Sequence, residues 1–160
     1  MTRQVAVGTG TRSQVLRGLV AACVLLSAVV HLDLWVGGMR SLSVIGPAFL
    51  LNSVAGVVIG LAVLILARPE PLLLAGAFGL ATLGAFVVST LPSGLFGVHE
   101  TWTWAPALLA AVSEVGAILL AGAALVVERR ATALPRAGGT AWTPSRSGSA
   151  ASRSARGTGS

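Results

Sequence analysis

Disulfides, cysteine-based metal sites and lysine chemistry are all closed to this chain of 160 residues, which carries one cysteine and draws all eleven of its basic residues from arginine. The lone Cys23 lies inside an apolar run, where it reads as a small packing residue. Histidine is almost as scarce, so a bis-histidine haem would have to use His31 and His99, and His99 falls in a loop. Charge is short too, at 10% of residues against about 25% in soluble domains, while mean hydropathy is +0.86. A water-soluble domain is excluded. Tyrosine is missing, and four Phe and four Trp are the only aromatics, so helices packed through small side chains are a more natural interior than a bulky globular core. There is no G-x-S-x-G, P-loop, H-E-x-x-H or Cys pair, which leaves hydrolase, nucleotide-hydrolysing and metalloprotease readings without support.

What is present is a series of apolar runs. Residues 1–16 form a polar, Arg-bearing N-terminal segment, followed by a run from Gly18 to Trp35 interrupted only by Ser27, His31 and Asp33. No A-x-A cleavage site follows it, so an uncleaved helix is expected rather than a signal peptide. Gly37-Gly38 breaks it. Val44 to Ala67 makes a second span whose polar members are Asn52 and Ser53, with Pro47 in its first turn. Arg68-Pro-Glu-Pro71 cannot continue a helix and separates a third span, from Leu72 to Leu91. The loop PSGLFGVHETWTW carries His99 and Glu100. Thr103 is the expected N-cap of a fourth span, which Glu128-Arg129-Arg130 should stop after Val127. The expected fold is all-α: a four-transmembrane-helix bundle over residues 17–128, with helices near 17–36, 44–67, 71–91 and 104–127. Residues 129–160 read as a disordered basic tail.

The net charge of +6 does not point to nucleic acid, because ten of the eleven arginines lie in the tails and the Arg68 turn. Arg40 stands alone on the other side. The positive-inside rule then puts both termini in the cytoplasm of a multi-pass plasma-membrane protein, with the lipid bilayer as first partner and other membrane proteins or a second copy as further ones. Trp35, Trp102 and Trp104 fall at the opposite boundary.

Three polar side chains lie where lipid would penalise them. Glu114 is ten residues into the fourth helix, about 15 Å at 1.5 Å per residue, near the bilayer midplane. An acid there costs about 3 kcal/mol on insertion scales, so it should face the bundle, be protonated or have a partner, with Asn52 or His31 the candidates. Its helical neighbours Ala107, Ala110, Ala111, Ala117 and Ala121 make a face suited to close contact. Asn52, Gly56 and Gly60 recur at four-residue spacing and include a GxxxG, expected to serve packing within the chain. His31, Asn52 and Glu114 thus form a candidate intramembrane cluster. Asp33 sits about 200° around the helix from His31 and is expected to cap the turn or pair with Arg40. With His99 and Glu100 these are outer-loop candidates. No pair among His31, His99, Glu100 and Glu114 has metal-ligand spacing, and no cofactor or catalytic residue is expected.

The segment H-L-x-L-W-x-x-G-M-R, then I-G-P-x-F-L-L-N-x-V-x-G, G-L-F-G-V-H-E and a fourth helix with A-x-x-S-E, resembles small uncharacterised four-helix integral membrane proteins of actinobacterial type. The likeness spans about residues 15–127, except that Met39 stands where an aromatic would be expected. It implies an architecture and a recurring set of polar positions, and no activity. On sequence alone the leading role is a structural or accessory subunit of a membrane complex rather than an enzyme. The alternative is a small transporter or proton-linked carrier using Glu114 with His31 and Asn52, and a membrane redox protein ranks third.

Overall fold

A computed structural model describes residues 2–99, 101 and 103–133; Glu100, Trp102 and the tail from residue 134 lie outside these. Helix α1 (Thr2–Val36), a short 3-10 turn (Met39–Ser41), α2 (Ile45–Ile65), α3 (Glu70–Ser89) and α4 (Ala105–Ala133) follow in order. All four helices are long and apolar enough to cross a bilayer. The described residues form an all-helical bundle of these four helices.

Local chemistry sets the ends. Leu66 turns extended at the end of α2, and the residue before Pro69 is sterically biased against helix. α3 restarts at once, with Glu70 in its first turn and Pro71 at an early position that needs no N–H donor. Two ends differ from expectation. α1 reaches back through the polar N-terminal segment. α4 does not stop at Val127 but runs on to Ala133, because Arg and Ala are good helix formers and Glu128 is held from the side. Nor does Thr103 cap α4: its hydroxyl donates to Thr101, and the Trp104 carbonyl takes the first helical bond, from Leu108.

α1 and α4 form the central pair, α1 packing on α2 and α4 on α3, while α2 and α3 touch only lightly and α2 does not reach α4. Small residues permit the approach. A Cβ on Gly56 would lie 2.9 Å from the Ala28 Cβ, and one on Gly60 would lie 2.8 Å from the Leu25 Cγ, so the GxxxG face is occupied by α1 of the same chain. The solid core runs through Val20, Val24, Val63, Leu72, Ala75, Phe78, Ala117 and Ala121. By register all of these lie toward the end that carries Arg17, Arg68 and Glu128.

That end is closed by one side chain. The Arg17 guanidinium donates from Nε to Glu128 Oε1 at 2.7 Å and from Nη2 to Oε2 at 3.0 Å. Its other N–H groups reach carbonyls at the end of α2 and in the turn beyond: Leu66 at 2.8 Å, Val63 at 3.3 Å and Arg68 at 2.6 Å. Ser13 adds a 2.7 Å bond to Glu128. The guanidinium has five N–H donors and all are used, on a side chain only 11% exposed. It satisfies the carbonyls orphaned where α2 ends and ties α1 to α4. Removing it would strand Glu128 and these carbonyls together. Arg17→Ala is expected to lower unfolding free energy by about 3 kcal/mol, measured by denaturant titration in micelles, with Arg17→Lys intermediate because an ammonium cannot make the planar fork. Gly56→Leu should cost about 1–3 kcal/mol through overpacking against Ala28 and Phe78.

Candidate functional site

At the other end the bundle is not filled. A cavity of about 270 Å³ lies between the helices, with His31 and Leu34 from α1, Phe49 and Asn52 from α2, Thr82 and Phe86 from α3, Glu114 from α4 and Trp104 just before α4 on its wall. Leu95 and Val98, from the loop between α3 and α4, line the end away from Arg17. They arrive there because the loop folds into a tight hairpin, with reciprocal backbone bonds between these two residues at 2.9 and 3.0 Å. The reversal uses left-handed backbone at Gly94, Phe96 and Gly97, a conformation that glycine adopts without a steric penalty. Ala48, Ala81 and Ala85 line the cavity and also reach the surface, so the mouth lies between α2 and α3. These are the two neighbouring helices that touch least.

Glu114 is 2% exposed, on the inward stripe of α4 with Ala107, Ala110, Ala111, Ala117 and Ala121. Gly79 presses α3 against this turn: a Cβ there would meet the Glu114 carbonyl oxygen at 2.9 Å. On the α1 side Gly116 does the same, with the Cys23 sulfur 2.9 Å from where its Cβ would stand. The acid is therefore fixed in depth by two glycine contacts.

Its two oxygens have different surroundings. Oε1 accepts a 3.2 Å bond from the Ser27 hydroxyl. The Ser27 oxygen is in turn 3.4 Å from His31 Nδ1, which lies 2.8 Å from the Ser27 carbonyl. A carbonyl only accepts, so Nδ1 carries the proton, and in the neutral ring Nε2 is the acceptor. The His31 ring also packs at 5.1 Å against Phe49, linking it to α2. Oε2 has no hydrogen-bond partner. Thr82 borders the same carboxyl, and its hydroxyl is also within reach of the Phe78 carbonyl at 2.9 Å and the Gly79 carbonyl at 3.3 Å. Asn52 Nδ2 is likewise buried without a partner.

The expected cluster is thus assembled around one cavity, but not by the expected bonds. Neither Asn52 nor His31 bonds to Glu114; the link is Ser27, which helical spacing puts on the His31 face but does not mark as the donor. Its signal was its position, one turn before His31 on the same face. Ser89 and Thr82 were not singled out either. Asp33 and Arg40 are exposed and make no ion pair with each other. The turn is held instead by Ser41, whose hydroxyl donates to the Gly38 carbonyl at 2.8 Å. His99 is exposed over Gly94 and off the cavity wall, and Glu100 is outside the described residues. Among those described, no three His, Cys, Asp or Glu side chains converge as metal ligands.

Four apolar spans surrounding a buried acid make this an integral membrane protein of the small polytopic class. Comparison with known proteins adds no narrower identity: no protein-family model, curated protein or solved structure matches the chain.

Leaving a buried polar atom unpaired costs about 1–3 kcal/mol. Asn52→Leu, which removes the unpaired amide at similar volume, is therefore expected to raise stability by about 1 kcal/mol in the same denaturant titration. Ser27→Ala should lower it by a comparable amount, because Glu114 Oε1 then loses its donor.

Proposed function

We propose that this protein is a small proton-linked carrier of the plasma membrane that binds its cargo in the cavity between α2 and α3. One observation carries the reading. Glu114 lines the cavity, accepts a bond on Oε1 from Ser27, which stands beside His31, and keeps Oε2 buried without a partner. A carboxyl so placed can hold cargo and also take up a proton, the Ser27 hydroxyl passing its hydrogen to Oε1 as it takes the one on His31 Nδ1. His31 and Glu114 are the two titratable side chains on the wall. Intramembrane acids that face an internal cavity commonly mark ion and substrate paths.

A scaffold or accessory subunit, the leading role on sequence grounds, has no need of a cavity walled by unpaired polar atoms. In addition, Gly56 and Gly60, which would have suited a seam between copies, are already used against α1. The Arg-rich end is assigned to the cytoplasm, so both termini are internal and the cavity occupies the outer half of the membrane. Its mouth then opens toward the outer leaflet, and its outer end lies under the Leu95–Val98 hairpin.

Liposomes loaded with a pH-sensitive dye and given an inward proton gradient test this. Wild-type protein is expected to collapse the gradient several-fold faster than empty vesicles, with Glu114→Gln at the empty-vesicle rate and Ser27→Ala in between. Equal rates for wild type and Glu114→Gln would make Glu114 a structural acid and return the accessory role to first place.

A further inference from the structure

We infer that the cargo is an apolar organic ammonium ion, a compact hydrophobic body bearing one cationic N–H group and no phosphate. The inference rests on the carrier reading and names the class of molecule that the same cavity selects. Electrostatics comes first. The wall carries one acid, Glu114, and no arginine, so nothing in the cavity offsets an anion. A cation meets Glu114, a cavity-lining residue only 2% exposed whose Oε2 is buried without a donor. An ammonium N–H supplies that donor in a charge-assisted bond, the strongest kind available to a carboxylate.

Shape and surface narrow the class. Phe49, Phe86 and Trp104 are all on the wall, and aromatic faces attract a cation at close range, more strongly once water is excluded. The remaining lining is largely aliphatic, suited to a hydrocarbon or aryl body. At about 270 Å³ the space lies at the low end of small-molecule pockets, roughly 300–1,000 Å³, which suits a compact amine better than a lipid with two chains. The mouth between Ala48, Ala81 and Ala85 faces the bilayer, so a membrane-dissolved amine reaches the acid without crossing the loop. A phospholipid ethanolamine headgroup shares the ammonium chemistry, but its phosphate would follow it to mid-membrane depth with no basic side chain to meet it. The amine is therefore free of phosphate.

The test uses three probes with one apolar body: phenylbutylammonium, phenylbutanol and phenylbutyrate. Each is titrated calorimetrically into the full-length protein in detergent micelles, with empty micelles as reference. The ammonium is expected to bind at least about tenfold tighter than the alcohol, and the butyrate not to saturate. Glu114→Gln should bring the ammonium down to the alcohol's affinity. The charge preference is read on the unaltered chain, so the result stands whether or not the variant folds. If the alcohol binds as tightly as the ammonium, the cation assignment is overturned while the cavity survives as a ligand site. If none of the three saturates, both the assignment and the carrier reading fall. In nanodiscs, ammonium affinity is expected to be the same with ethanolamine and choline lipids. Competition by the ethanolamine lipid would put a headgroup in the cavity and overturn the phosphate-free amine.

Discussion

One guanidinium determines how this bundle can be built. Lipid gives helices no hydrophobic reason to associate, so a four-span chain must be held by close packing and by polar bonds whose loss cannot be made up from water. At the Arg-rich end both are concentrated. Arg17 ties the end of α2 and the following turn to α1, and through Glu128 to α4, directly beside the Val20, Val63 and Leu72 core. That leaves α2 and α3 free to part at the other end without loosening the bundle. The cavity exists because the opposite end is secured.

The two ends differ in how their polar groups are met. The closed end has its carboxylate and its helix-terminal carbonyls satisfied. In the open half, Glu114 Oε2 and Asn52 Nδ2 are both buried and unpaired. Unpaired atoms of this kind are expensive in an apolar medium, and both border the same space. Destabilised polar groups gathered in one place are the usual mark of a site whose partner arrives from outside.

The four helices were legible in the sequence because each apolar run ends at chemistry that lipid does not tolerate: Gly37-Gly38, Arg68-Pro-Glu-Pro71, and the Gly-rich loop after Leu91. The inward direction of Glu114 was legible as well, from the alanines at its helical spacings. Its true donor was not. A serine inside an apolar helix most often bonds a carbonyl of its own preceding turn, as Thr82 and Ser113 do here, so periodicity does not single out Ser27 as the exception. Arg17 was hidden for a different reason. By composition it is one more positive charge near a membrane boundary, and only the return of α2 and α4 to the same level shows what it binds. The cavity was least visible of all, because Ala48, Ala81 and Ala85 have the same composition as alanines used for close packing.

The depth of Glu114 has an electrical consequence. Nine residues beyond the start of α4 at Ala105 correspond to about 14 Å of rise, close to halfway across the hydrocarbon. A unit charge carried across the whole membrane gains or loses about 2.3 kcal/mol per 100 mV, so a charge brought from outside to this carboxyl traverses roughly half of that drop. With the Arg-rich end cytoplasmic, as proposed, a cation held at Glu114 would be coupled to membrane voltage: an inside-negative potential would draw it toward the carboxyl, and depolarisation would release it.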